Sequence, residues 1–169
     1  MNVKKESGTP APALPAATVT IVRDAGDGIE VLMMRRNLKS GFVPGMYVFP
    51  GGGLDEADLL FKNNGLCSCL DDAAACAALG LAADGVGYWV AAIREAFEEA
   101  GLLLARDRAG DIVKLCDAQA SVRFDTYRRQ LNAGELDFAA ILQAEGLQLA
   151  ADQLTYFAHW ITPITAPRR

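Results

Sequence analysis

Residues 94–101, REAFEEAG, place three carboxylates within little more than one helical turn, immediately before a glycine. The stretch from Tyr88 to Ala100 has helical periodicity, and Gly101 stands where a left-handed residue commonly ends a helix. At about 100° per residue, Val90, Ile93, Phe97 and Ala100 fall within an arc of roughly 80°. Glu95, Glu98 and Glu99 fall within an arc of about 100° on the opposite side. One face is built for a core and the other carries acid. The arrangement is costly. Glu95 stands at i,i+3 and i,i+4 from Glu98 and Glu99, spacings at which like charges repel by about 0.2–0.5 kcal/mol per pair. Glu98 and Glu99 also occupy the negative end of the helix dipole, which disfavours an anion by roughly 0.3–1 kcal/mol. Arg94 can pair with Glu98, but one arginine cannot neutralise three carboxylates. A solvated acidic face is the plain structural alternative, and both costs count against it. A hard divalent cation with oxygen ligands turns the same cluster into a site.

The rest of the chain mixes strands with helices. ATVTIVRD (17–24) and IEVLMMRR (29–36) read as two paired strands, with Asp27-Gly28 as the hairpin signal between them. NLKSGFVPG reads as a loop and MYVFPGGG as a short strand breaking at Pro50. The run Gly51 to Gly53 demands backbone freedom or the close approach of another group. Within residues 59–86 an alanine-rich run predicts a short helix capped by Asp71 or Asp72. Beyond GLLLAR, helices are expected near 117–131 and 135–145, then a strand over LTYFAHWITP closed by Pro163. Neither a regular βαβ alternation nor a repeat occurs, so the fold class is a mixed α/β sandwich. At 169 residues the chain can build one full hydrophobic core.

Composition removes several classes. A net charge of −5 argues against binding nucleic acid by phosphate neutralisation. No apolar stretch approaches the ~20 residues of a membrane span. MNVKKESGTPAPALPAA lacks an apolar signal region, so residues 1–16 are expected to be a flexible leader and the location cytoplasmic. Cys67, Cys69, Cys76 and Cys116 lack zinc-ligand spacing and read as free thiols.

REAFEEAG resembles the helical half of the motif that defines the Nudix hydrolase family. PGGGLDEAD resembles the glycine half, with five residues between Gly52 and Asp58. Asp58 stands where the family usually has glutamate, and thirty-five residues separate it from Arg94, far more than the family's short spacer. The chain is thus similar to a branch with a long insertion inside the motif, whose members include acyl-CoA diphosphatases. KSGFVPGMYVFPGG and HWITP also resemble that branch. The resemblance implies a Nudix-like α/β/α sandwich with a mixed β-sheet over residues 17–169, the insertion covering 59–86. It also implies a further strand and a closing helix after TPITAPRR, which makes the chain read as C-terminally incomplete.

The roles implied by the resemblance follow motif position. Glu98 and Glu99 are metal ligands, and Glu95 is a further ligand or the group that activates water. Arg94 orients Glu95, and a carbonyl from Gly51 or Gly52 completes the coordination of Mg²⁺ or Mn²⁺. The reaction implied is hydrolysis of the diphosphate linkage of a nucleotide derivative, with CoA or acyl-CoA favoured. ADP-ribose, NADH, a nucleotide sugar, or binding without cleavage are the alternatives. Arg35 and Arg36 are candidates for substrate phosphate, with a solvated strand end as the equal alternative. Gly41 stands where the CoA-specific pattern has a second arginine. Trp160 or Phe42 could stack on a base, although packing is the commoner role for such aromatics. His159, Cys69 and Cys116 are expected to be bystanders. A homodimer is compatible with these features; a nucleic-acid or membrane partner is not expected.

Overall fold

The computed structural model describes residues 12–36 and 45–163. Most of the expected leader, the 37–44 loop with Gly41 and Phe42, and residues 164–169 lie outside them. The amino-terminal strands are shorter than the two expected runs because their pairing partners change midway. β1 (Ala16–Thr18) pairs with β6 (Gly51–Gly53), whereas β2 (Val22–Ala25) pairs with β3 (Gly28–Val31) around a Gly26–Asp27 loop. β4 (Met34–Arg35) pairs with β5 (Tyr47–Val48). β7 (Ala105–Arg106) pairs with β8 (Gln148–Leu149). These four pairings are antiparallel.

The described residues form six α-helices, of which the fourth packs on β1 and β6. α1 (Glu56–Leu59), α2 (Phe61–Asn64) and α3 (Asp72–Leu79) occupy the expected insertion and its approach. α4 (Gly85–Ala100) follows, then α5 (Ala118–Asn132) and α6 (Phe138–Glu145). Asp71 caps α3 by accepting the Ala74 N–H at 2.7 Å, and Asp117 caps α5 by accepting that of Ala120 at 2.8 Å.

α4 is the central element, in contact with α1, α2, α3, α5, β1 and β6. Val86, Val90, Ile93 and Phe97 are fully buried along it, while Ala100 is only half-buried. Phe97 holds the core together: its ring stacks on Phe138 of α6 at 6.1 Å and meets Phe124 of α5 edge-on at 6.3 Å. Burying one such side chain stabilises the fold by about 1.5–3 kcal/mol. The insertion belongs to this core, since Phe61, Cys67 and Ala75 are buried in it.

Both ends of α4 are set by specific hydrogen bonds. The helix starts three residues earlier than Tyr88 because the Asp72 carboxylate, on α3, accepts the N–H of Asp84 at 3.1 Å and of Val86 at 3.0 Å. Those backbone donors, Val86 first, hold the Asp72 carboxyl below the usual carboxylate range. At the other end Gly101 has φ +70, and Leu102 N–H reaches back to the Ala96 carbonyl at 3.2 Å.

One expectation fails. LTYFAHWITP forms no strand: residues 154–163 have no regular structure, with Phe157 91 % and Trp160 86 % exposed. Its β-branched and aromatic residues favour an extended chain, but propensity without a pairing partner does not make a strand.

Candidate functional site

The glycine strand β6 lies on α4, and the meeting point brings together the two halves of the sequence motif. Arg94 is at its centre, only 6 % exposed, beside Asp58, which is 1 % exposed. Arg94 Nε donates to Asp58 Oδ1 at 2.9 Å and Nη2 donates to Oδ2 at 3.0 Å. Nη2 also donates to the Gly53 carbonyl at 2.9 Å. Nη1 faces the acidic side, donating to Glu95 Oε1 at 3.0 Å and Glu98 Oε1 at 3.1 Å. The planar fork of a guanidinium is what allows one side chain to make all these bonds at once.

Asp58 is itself oriented, since its Oδ2 accepts the Asp55 N–H at 2.9 Å at the start of α1. Burial by itself would lower the pKa of Arg94, but hydrogen bonding and charge from Asp58, then Glu98, outweigh it and raise it. The guanidinium therefore stays cationic.

The glutamates reach the glycines directly. Glu99 Oε2 accepts the Gly51 N–H at 2.9 Å. The Glu95 carboxylate packs against Gly52 so closely that a Cβ there would stand 2.3 Å from Oε1 and 2.7 Å from Oε2. Only glycine leaves room for that carboxylate. Burial pushes the Glu95 carboxyl above its ordinary range; Arg94 opposes the rise, while Glu98 and Glu99 add to it.

Among the described residues, each of the three glutamates thus gives one oxygen to a protein donor and keeps a second oxygen outside those bonds. These all-oxygen donors have the chemistry that a hard divalent cation takes. Among the described residues no group of three or more acidic, histidine or cysteine side chains is already arranged around one point. The donor set fits the ion; the side chains are held in their protein-bonded positions.

Gly51, Gly52, Arg94, Glu95, Glu98 and Glu99 therefore lie together, with Asp58 behind them. Arg35 is exposed and Arg36 half-buried at β4, whose pairing is with β5; the Arg36 N–H donates to the Met46 carbonyl at 2.9 Å. Neither is brought onto the acidic face by any of these bonds. Trp160 and His159 are exposed, and Phe42 lies outside the described residues. All four cysteines are free, Cys69 and Cys116 exposed, and burial pushes the Cys67 thiol up to about 12.

Two residues escaped the sequence reading. Arg128 of α5 donates from Nε to the Glu98 carbonyl and from Nη2 to the Glu99 carbonyl, both at 2.7 Å. Asn132, one turn on, donates to the Glu98 carbonyl at 3.3 Å. The positive charge missing from the last turn of α4 is supplied by another helix. No local pattern announces it, because α5 carries two other arginines, Arg123 and Arg129, with different partners.

Comparison with known proteins agrees with this geometry. The NUDIX domain family model matches residues 13–163. The acyl-coenzyme A diphosphatase NUDT19 of Xenopus laevis is 28 % identical over 161 residues, covering 80 % of this chain and 42 % of that protein. Its namesake from Homo sapiens is 32 % identical over 128 residues, covering 62 % of this chain and 32 % of that protein. The chain therefore spans less than half the length of these curated relatives. Among solved structures, a NUDIX hydrolase from Alicyclobacillus acidocaldarius superposes with a TM-score of 0.72 at 30 % identity, covering 95 % of this chain and 67 % of that one. With the family model spanning nearly all of it and both halves of the motif meeting around Arg94, this chain belongs to the NUDIX domain family.

Proposed function

We propose that this chain carries a divalent-metal-dependent hydrolase site that cleaves the diphosphate linkage of a nucleotide derivative, with CoA or an acyl-CoA as the favoured substrate. The observation behind the reading is the placement of Glu95 and Glu99 against Gly52 and Gly51, in a frame built on Asp58 and Arg94. Glu98 and Glu99, with Glu95 as a further ligand or as the proton acceptor, are the ion's side-chain donors. Gly51 is the better candidate for the backbone carbonyl. In an extended strand a residue's N–H and C=O point the same way, and the Gly51 N–H faces Glu99.

A Mg²⁺ or Mn²⁺ bound there supplies positive charge that offsets the charge building on the phosphoryl oxygens and acidifies water. The chain's own groups do the rest. Arg94 holds Glu95 and Glu98 side by side and keeps both from swinging into solvent. Burial raises the proton affinity of Glu95, which suits it to accept a proton from the attacking water. Asp58 keeps Arg94 from turning with them.

The CoA preference rests on the names of the curated relatives, both called acyl-coenzyme A diphosphatase. The test is incubation with Mg²⁺ or Mn²⁺ and a panel of CoA, acyl-CoA, ADP-ribose, NADH and nucleotide sugars, followed by product separation. Metal-dependent release of an adenosine bisphosphate from CoA, abolished by chelator, is expected. CoA cleaved no faster than the other substrates removes the preference, and no turnover of any of them removes the activity.

A further inference from the structure

We propose that Arg128 is a positioning residue for the acidic cluster, acting from α5 on the last turn of α4, with Asn132 as its companion. The inference rests on the hydrolase reading above, because it assigns Arg128 a purpose at that reading's metal ligands. Glu98 and Glu99 are consecutive, and Arg128 grips both of their carbonyls with two nitrogens of one guanidinium, each at 2.7 Å. Asn132 adds a 3.3 Å donor to the Glu98 carbonyl and is braced by a 2.9 Å bond to the carbonyl of Arg128 itself.

These carbonyls belong to the end of the helix, where backbone acceptors have no intrahelical partner. Bonding them to a rigid fork fixes the Cα positions from which the two carboxylates project. It also places a cation where the helix dipole and two acidic side chains would otherwise accumulate negative charge. Gly101 packs directly beside this contact: a Cβ at that position would stand 3.7 Å from Arg128 Nη1, so the helix stop and the clamp form one unit.

A clamp and a bare charge predict opposite changes in metal affinity. Removing a nearby cation by itself should strengthen binding of Mn²⁺; loosening the glutamates should weaken it. Replacing a hydrogen-bonding partner behind metal ligands typically lowers metal affinity by about 10- to 100-fold. The experiment measures Mn²⁺ binding to the full chain by electron paramagnetic resonance without substrate, in wild type, Arg128→Ala, Arg128→Lys and Arg129→Ala. Thermal melts and kcat and KM are recorded alongside.

The expected result is a weakening of about 10-fold in Arg128→Ala, a smaller one in Arg128→Lys, which keeps the charge but loses the fork, and none in Arg129→Ala. The loss should appear in turnover at limiting metal, with KM for the nucleotide little changed. Unchanged or tighter Mn²⁺ binding in both Arg128 variants overturns the proposal while leaving the hydrolase reading intact. A lowered melting temperature with unchanged metal affinity shows a purely structural contact and also overturns it. Should Arg128→Ala fail to fold, Arg128→Lys carries the comparison. Absence of Mn²⁺ binding and turnover in wild type overturns the hydrolase reading itself, and this proposal with it.

Discussion

Asp58 and Arg94 are 36 positions apart and form a two-point ion pair at 2.9 and 3.0 Å, with both side chains almost fully buried. A buried pair of this kind gains little over an apolar pair of equal shape, but removing one partner strands a charge. Its value is orientation: the guanidinium bound on one side to Asp58 has Nη1 left to face Glu95 and Glu98. The long insertion begins immediately after Asp58 and returns the chain to Arg94 without disturbing the contact.

The Asp58→Ala variant should therefore lose about 3–5 kcal/mol of stability in urea unfolding, because Arg94 Nε and Nη2 lose their buried carboxylate acceptor. Turnover should fall with it. A loss below about 1 kcal/mol would show that water reaches Arg94 and that the pair holds nothing together.

Neighbouring glycines should respond differently to alanine. At Gly52 the atoms nearest the new methyl are those of the Glu95 carboxylate, the end of a side chain that can shift. Gly52→Ala should keep the fold, within about 1 kcal/mol of wild type, and lose most activity by displacing Glu95. At Gly51 the methyl meets backbone, 2.5 Å from the Ala17 carbonyl oxygen and 2.7 Å from Thr18 Cα. Gly51→Ala should cost about 1–3 kcal/mol of stability through overpacking. Equal melting temperatures for the two variants would contradict this.

Glu99→Gln separates stability from activity. The amide oxygen can still accept the Gly51 N–H, and the charge that repels its neighbours is gone. Removing an anion from the negative end of α4 should stabilise by about 0.3–1 kcal/mol. Loss of a metal ligand should at the same time lower turnover and Mn²⁺ affinity by at least about 10-fold. An unchanged turnover at limiting metal would remove Glu99 from the ligand set.

Acid titration offers a test away from the site. Arg106 donates to Asp152 at 2.7 Å, and that bond, followed by one from Gln153, lowers the Asp152 pKa to about 2. The folded value lies below the unfolded value of about 3.9, so this pair's contribution is complete above pH ~4 and is lost as pH falls through about 2. Carboxyl-detected NMR should find the Asp152 midpoint near 2, and Arg106→Ala should return it toward the ordinary range. A midpoint near ~4 in the wild-type protein would rule out the pairing in solution.

What was legible in the sequence is what depends on near neighbours along the chain. The amphipathic split of α4, its stop at Gly101, the Asp71 cap and the Arg94–Glu98 pair are interactions within a few residues, and each is present in the structure. The convergence of Gly51 and Gly52 on the glutamates was legible only because both halves of a family motif occur in order. The strand expected over LTYFAHWITP failed because a strand is completed by a partner, which no local pattern supplies. Tertiary packing alone decided how the ends of α4 are held, with an Asp72 carboxylate from α3 on the first N–H groups and an Arg128 guanidinium from α5 on the last carbonyls. A helix leaves those groups open whatever its sequence, and which side chain reaches them depends on where the other helices come to rest.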